Sequence, residues 1–263
     1  MLKHCVVGVD YSEGWNEIPA QLPEMIKQLG IEQLTLIYVI EPFRRKHIED
    51  SEGAAIKRLE ALAGEMAGPL GVSIDCEVRQ GFAASEILQA AKKREANGVI
   101  VLNRSHSVGR EIFMGNIAMN LARMTKLPLL ILSQDGTPPP SQSPIILATD
   151  GSDNAAAARA QFESLMHNGS NGLVLWVEPE EHDDGMDDAE PALLSTLAEQ
   201  FGNAQARRLR GYPVEQIIAT AEDEDALLVI IGKRGRTPIE ELILGSTAEG
   251  VARECRQPVL LTP

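Results

Sequence analysis

Paired cysteines, long apolar runs and an excess of positive charge are all missing from this sequence of 263 residues. The three cysteines, Cys5, Cys76 and Cys255, are odd in number and widely scattered, which excludes a disulfide framework and favours buried thiols. No stretch approaches the roughly 18 to 20 apolar residues of a membrane span. We therefore expect a soluble globular protein with no membrane partner.

The charge balance argues against nucleic acid as a ligand but is compatible with a local site for a small anion. The formal net charge is −14, and only 9 of the 24 Lys and Arg follow residue 135, against 21 of the 38 Asp and Glu. Nucleic-acid affinity depends on clustered cations, so this balance excludes a nucleic-acid-binding surface. Three of those cations nevertheless stand within four residues and indicate a local anion site; they are Lys233, Arg234 and Arg236.

The N-terminus and a Pro-rich segment give the organisation of the chain. The first residues lack the apolar core of a signal peptide, which predicts a cytoplasmic protein. Residues 134–143 contain three consecutive prolines and predict a semi-rigid linker. Residues 81–133 align without a gap with residues 211–263, and "HCVVGVDYS" near the start matches "PIILATDGS" after the linker. We infer a duplicated domain, residues 1–133 and 144–263.

Within each copy, short Val/Ile/Leu runs alternate with longer segments of helical period. Continuous apolar strands that each precede a helix are typical of a parallel sheet covered on both faces. The sequence therefore predicts two tandem doubly wound α/β domains, each a five-stranded parallel sheet of Rossmann-like topology with its ligand at the carboxyl ends of the strands. The predicted strands are residues 5–9, 34–40, 72–78, 98–102 and 129–132, then 145–148, 173–177, 204–209, 227–231 and 259–261.

The second copy ends with a glycine pattern that suits an anion. Three glycines with the spacing G-x2-G-x9-G-S-T follow an apolar strand and precede a predicted helix. Glycines let backbone N–H groups close around an anion, and a Ser-Thr pair at the N-cap and N1 positions adds a helix N-terminus. The pattern predicts phosphate binding, although it is neither a P-loop nor the dinucleotide fingerprint. Its residues are Gly232, Lys233, Arg234, Gly235, Gly245, Ser246 and Thr247.

The repeated architecture and this glycine pattern resemble the universal stress protein family, over essentially the whole chain. The resemblance implies a tandem member in which the glycine, Ser and Thr residues hold the phosphates of ATP. It also implies that Asp150 contacts the nucleoside and that the backbone of Val177 contacts adenine. The residues agree with this role, because a carboxylate at the end of an apolar strand can accept hydrogen bonds from a ribose. An Asx turn or an N-cap is the alternative role of Asp150.

The first copy departs from the pattern. Leu102 and Ser105 stand at the places of the first two glycines, and Asn116 and Ile117 replace the Ser-Thr pair, while Gly115 survives. A leucine side chain would stand where the signature brings backbone to the ligand, so we expect nucleotide binding to be lost in this copy. A different anion stays open, because the stretch keeps Arg104, His106 and Arg110.

An acidic segment follows the second strand of the second copy. Eight acids lie between Glu178 and Glu190, and their self-repulsion predicts a solvated loop. A hard-cation site is the alternative, although the turn glycine and terminal Glu of a calcium loop are missing. Its candidate ligands are Asp183, Asp184, Asp187 and Asp188.

Together with these observations, the resemblance implies a cytoplasmic stress-response regulator with one adenine nucleotide, ATP or else ADP or AMP, with or without Mg²⁺, in the second domain. Two other classes stay open. One is a slow ATPase, or an enzyme that phosphorylates itself on Ser246 or another hydroxyl. Glu240 and Glu241 are the nearby candidates for a base or a Mg²⁺ contact. The other is a scaffold with empty pockets whose domains pair within the chain through their last strands. A homodimer and an unidentified protein partner are compatible with each class.

Overall fold

A computed structural model describes residues 1–11, 18–41, 51–103, 117–136, 140–179, 192–235 and 244–263. The chain divides into two units, Met1–Thr137 and Pro138–Pro263, and the predicted linker lies across this division. None of the helices in these ranges combines the length and the apolar character that a membrane crossing requires.

The first unit alternates strands with helices along its length. Its strands form one sheet in the order β3-β2-β1-β4-β5, and the described pairs are parallel. The elements are β1 (His4–Val9), α1 (Ile18–Leu29), β2 (Gln33–Ile40), α2 (Glu52–Leu70), β3 (Ser73–Gln80), α3 (Ala83–Lys93), β4 (Gly98–Asn103), α4 (Ile117–Met124) and β5 (Leu129–Ser133).

The second unit repeats this plan. Its strands follow the order β8-β7-β6-β9-β10, again with parallel pairs. The elements are β6 (Ile145–Ala148), a 3₁₀ turn (Asp153–Ala155), α5 (Ala156–His167), β7 (Gly172–Glu178), α6 (Ala192–Gln200), β8 (Ala204–Arg210), α7 (Pro213–Asp223), β9 (Leu228–Gly232), α8 (Ser246–Glu254) and β10 (Val259–Thr262). The predicted fold class is confirmed, and each predicted strand end lies within two residues of the observed one.

The central strands are buried on both faces, as their apolar runs predict. Every residue of β4, β6, β9 and β10 is buried, whereas no residue of the outer strands β3 and β8 is fully buried and their positions are half-buried or exposed. Cys5 and Cys255 are buried as expected, while Cys76 on β3 is only half-buried. The core therefore runs along the middle of each sheet.

Helix α8 packs closely against helix α7. Gly250 lies inside α8, and a Cβ at this position would approach the Cγ2 atom of Val214 on α7 to 2.7 Å. The missing side chain therefore allows the two helices to pack closely. This packing fixes the position of the N-terminus of α8.

We expect Gly250→Ala to destabilise the protein by about 1 kcal/mol, because overpacking costs about 1–3 kcal/mol and exceeds the gain in helix propensity. Gly64 in α2 is the matched control, since a Cβ there meets no atom within 4 Å. Gly64→Ala should stabilise by about 0.5–1 kcal/mol. Urea unfolding measures both effects.

The same contact can be tested from its other side. In a Val214→Ala background, the alanine at position 250 should stabilise the protein, because the opposing methyl groups are gone. If Gly250→Ala stabilises wild type as much as Gly64→Ala does, the close contact between α7 and α8 at Gly250 is contradicted.

Candidate functional site

The sheet of the second unit reverses its strand order between β6 and β9. From there β7 and β8 lie to one side and β10 to the other. In an open α/β sheet, connections at such a point leave toward opposite faces and open a crevice at the carboxyl ends of the strands. Asp150 follows β6 at this edge. Gly232 is the last residue of β9, and we call the segment from Gly232 to Gly235 the glycine loop.

Asp150 faces the glycine loop. A Cβ on Gly235 would lie 2.5 Å from Oδ2 of Asp150, so the carboxylate and the loop backbone are in direct contact. The other oxygen, Oδ1, accepts hydrogen bonds from the Ser152 N–H at 3.0 Å and the Ser152 hydroxyl at 2.7 Å. The Asx turn therefore forms, and it orients Asp150 toward the loop.

The N-terminus of α8 lies beside the same loop, one residue earlier than expected. The prediction that Ser246 is the N-cap is wrong: Gly245 has the extended cap conformation, with φ −73° and ψ 150°. The Gly245 N–H donates to the carbonyl oxygen of Lys233 at 2.8 Å, and its own carbonyl accepts from the Glu249 N–H at 2.9 Å. A Cβ at position 245 would lie 3.3 Å from the Lys233 oxygen, so glycine suits this close approach.

Ser246 and Thr247 are consequently the first two residues of the helix, N1 and N2. The N–H groups at the start of an α-helix have no carbonyl of an earlier turn to bind. Together with the helix dipole they form a favourable environment for an anion. Ser246 and Thr247 therefore still lie at the helix N-terminus, the position that suits an anion.

The two described cations of the glycine loop differ in their environment. Arg234 is exposed, whereas Lys233 has only 5% of its surface accessible. Burial, with a smaller contribution from the charge of Arg234, lowers the pKa of Lys233 from its ordinary 10.5 to about 8. Arg236 lies outside the described residues.

Val177 belongs to the neighbouring strand. The last residue of β6, Ala148, is in register with Leu175 on β7, so Val177 lies past the end of β6. Trp176 before it packs on the turn that contains Asp150: a Cβ on Gly151, which has φ +73°, would lie 2.8 Å from its ring. The Trp176 ring therefore packs against the turn and supports it, a contact that the sequence analysis missed.

Glu178 is part of the sheet, and its assignment to a solvated loop is wrong. It is the last residue of β7, is 5% exposed, and forms ion pairs with Arg208 and Arg210 on β8. The register of β7 with β8 brings these charges together, a signal that could be read only once the pairing was known. The candidate cation ligands between residues 180 and 190 lie outside the described ranges.

In the first unit, different side chains occupy the equivalent places. Leu102 and Asn103, which align with Gly232 and Lys233, are both buried. Tyr11 follows Asp10 where the second unit has a glycine, keeps a positive φ of 51°, and packs on the ring of Tyr38 at 5.1 Å between centroids. The remaining residues singled out there lie outside the described ranges, apart from Ile117, which begins α4.

Two tandem doubly wound sheets, with an aspartate, a glycine loop and a helix N-terminus at one switch point, define a duplicated α/β protein. The sequence model of the universal stress protein family matches residues 1–133 and 143–263. The chain therefore belongs to the universal stress protein family.

Individual universal stress proteins also match this chain in sequence and in structure. A universal stress protein of Mycobacterium tuberculosis is 27% identical over 233 residues, which cover 82% of this chain and 75% of the relative. A universal stress protein structure from Archaeoglobus fulgidus matches with a TM-score of 0.78 and 21% identity, over 98% of this chain and 95% of that one. A Pseudomonas aeruginosa structure matches with a TM-score of 0.66 and 19% identity, over 99% and 93%. These two structures show the fold.

The burial of Lys233 leads to a prediction about stability and pH. Lys233 titrates near pH 8 in the folded protein and near 10.5 in the unfolded chain, so its contribution to stability rises with pH between these values. Lys233→Met should therefore stabilise the ligand-free protein by on the order of 2 kcal/mol at pH 7. The advantage should shrink as the pH approaches 10.5.

Urea unfolding of both proteins at several pH values between 7 and 10.5 measures this difference. Lys57→Met in the middle of α2 is the control, because Lys57 is exposed. A Lys233→Met variant that is less stable than wild type at pH 7 would contradict the interpretation.

Proposed function

We propose that this protein binds one adenine nucleotide in the crevice of the second unit and acts as a cytoplasmic stress-response regulator. The observation that carries the proposal is the contact between Asp150 and Gly235 across the switch point, beside the N-terminus of α8. This arrangement brings a carboxylate, the backbone of a loop and the N–H groups of a helix N-terminus together at one edge of one sheet. A nucleoside phosphate has complementary groups for all three.

The phosphate end of the ligand suits the glycine loop and α8. The N–H groups of Ser246 and Thr247 are oriented along a helix axis whose dipole favours negative charge. Arg234 adds an exposed positive charge to the same loop. Lys233 contributes a charge within the protein, where the low dielectric strengthens its attraction for an anion.

The nucleoside end suits the side of β6 and β7. A carboxylate accepts hydrogen bonds from ribose hydroxyls, and the turn that fixes Oδ1 of Asp150 holds this side chain at the sheet edge. Val177 lies past the end of β6, where its backbone would offer polar groups to the edge of adenine. These assignments follow the family resemblance position by position.

Mg²⁺ would enter with the phosphates. Among the residues that the structure describes, no group of three His, Cys, Asp or Glu side chains could hold a metal ion. Mg²⁺ commonly binds through substrate phosphates and retained waters with only one or two carboxylates, so a bound triphosphate could hold the ion without a dedicated protein cage.

One site per chain follows from the difference between the units. The buried Leu102 fills the position where the second unit needs a residue without a side chain. The enzymatic alternative depends on Glu240 and Glu241, which lie outside the described residues, so it stays a prediction. Pairing of the units through their last strands, a homodimer and a protein partner also stay predictions.

Native mass spectrometry and calorimetric titration with ATP and Mg²⁺ test the proposal. Wild type should bind one nucleotide per chain, and Gly235→Asp should abolish binding, because its side chain collides with Asp150 and adds a negative charge beside the phosphates. Gly202→Asp is the matched control: the same charge change in the same unit, at an exposed turn before β8 with no atom near its Cβ position.

The stoichiometry separates the hypotheses. Two nucleotides per chain would show that Leu102 does not close the first unit. Failure of wild type to bind any adenine nucleotide would favour the scaffold hypothesis. Equal losses in Gly235→Asp and Gly202→Asp would show that charge alone, without the site geometry, determines binding.

A further inference from the structure

Asn154 lies on the 3₁₀ turn after β6 and is not part of the glycine pattern. Its side-chain Nδ2 donates a hydrogen bond to the carbonyl oxygen of Gly235 at 2.9 Å, although the two residues are 81 positions apart in the chain. The bond joins the turn that carries Asp150 to the glycine loop. It is a direct link between the two sides of the crevice.

The same turn explains why the loop contains glycine at two positions. A Cβ on Gly232 would lie 3.2 Å from the backbone oxygen of Asn154 and 3.3 Å from Cα of Ala155. A Cβ on Gly235 would collide with Asp150. The space that these side chains would need is filled by the turn, so both glycines serve contact within the protein as well as any contact with a ligand.

We propose that Asn154 is a positioning residue that holds the glycine loop against the turn after β6. The proposal rests on the proposed nucleotide site and deepens it. The side-chain amide fixes the Gly235 carbonyl, and thereby the separation between the loop that would bind phosphates and the carboxylate that would bind the ribose. Preorganisation of this kind increases affinity without a new contact to the ligand.

The duplication within the chain supports this assignment. At an offset of 140 the two copies align without a gap through this turn, and Gly14 stands at the place of Asn154. The first copy therefore lacks the amide donor, and Ser105 stands at the place of Gly235, whose carbonyl oxygen accepts the bond in the second copy. Both halves of the contact differ together, as expected if each needs the other. The identical pairs on either side are Asp10/Asp150, Ser12/Ser152, Ala20/Ala160 and Gln21/Gln161.

The chemistry of the bond predicts how substitutions differ. Asn154→Ala removes the donor, whereas Asn154→Asp places an acceptor-only carboxylate against a carbonyl oxygen and near Asp150. The aspartate variant should therefore separate the loop from the turn more strongly than the alanine variant. A role of Asn154 that depended only on the size of its side chain would make aspartate the milder change.

The experiment combines affinity with hydrogen exchange in the full chain. Calorimetry with ATP and with adenosine compares wild type, Asn154→Ala, Asn154→Asp and the control Asn168→Ala, an exposed asparagine at the far end of α5. We expect Asn154→Ala to weaken ATP about threefold to tenfold, the range of one hydrogen bond, and adenosine less, because the freed loop faces the phosphates. Asn154→Asp should weaken ATP further, and the melting temperature should match that of the control.

Hydrogen exchange of residues 232–235 in ligand-free protein tests the contact independently of any nucleotide. Exchange should be faster in both Asn154 variants and unchanged in Asn168→Ala. If wild type binds no nucleotide, the proposed function fails, while this measurement still decides whether Asn154 holds the loop. Unchanged exchange, wild-type ATP affinity in Asn154→Ala, or equal losses for ATP and adenosine would each overturn the proposal.

Discussion

The second unit depends on the close approach of two chain segments at the point where its sheet reverses direction. Gly232 and Gly235 have no side chains, and the space thus left open is filled by the turn from Asp150 to Ala155. This approach brings a carboxylate from one strand end into contact with backbone from another. In the proposed site, the loop would bind the phosphates and the carboxylate would bind the ribose of one ligand, and these two glycines set the separation between them.

The two units have diverged differently at the two edges of their sheets. Near the amino edge, Glu77 on β3 pairs with Arg94 at the end of α3, and the aligned residues Arg207 and Glu224 form the same pair with the charges exchanged. The attraction that joins the strand to the following helix is preserved when both signs reverse. At the carboxyl edge, by contrast, the buried Leu102 puts a bulky side chain where the second unit has bare backbone, which changes the shape of this part of the sheet edge.

Local patterns predicted most of the fold. Continuous apolar runs predicted the buried strands, and Ser51, a residue type that favours the N-cap position, caps α2 through its side chain. Contacts between distant segments were less accessible. The cap at Gly245 depends on the Lys233 carbonyl, and the burial of Glu178 depends on strand register with two arginines, so neither follows from neighbouring residues alone. Asn154 was missed for the same reason.

At the proposed nucleotide site, the charges held close to the switch point matter more for a polyanion than the net charge of the chain. Glu178, the acid nearest in sequence to Val177, is neutralised by two arginines on β8. Lys233 is buried, where its charge is less screened by salt than that of an exposed side chain. Burial disfavours its charged form, and an incoming phosphate favours it, so anion binding offsets part of the cost of desolvation. The local field is therefore set by the few charges that the fold holds at the site, and the net charge of −14 acts mainly on the approach of the ligand through solvent.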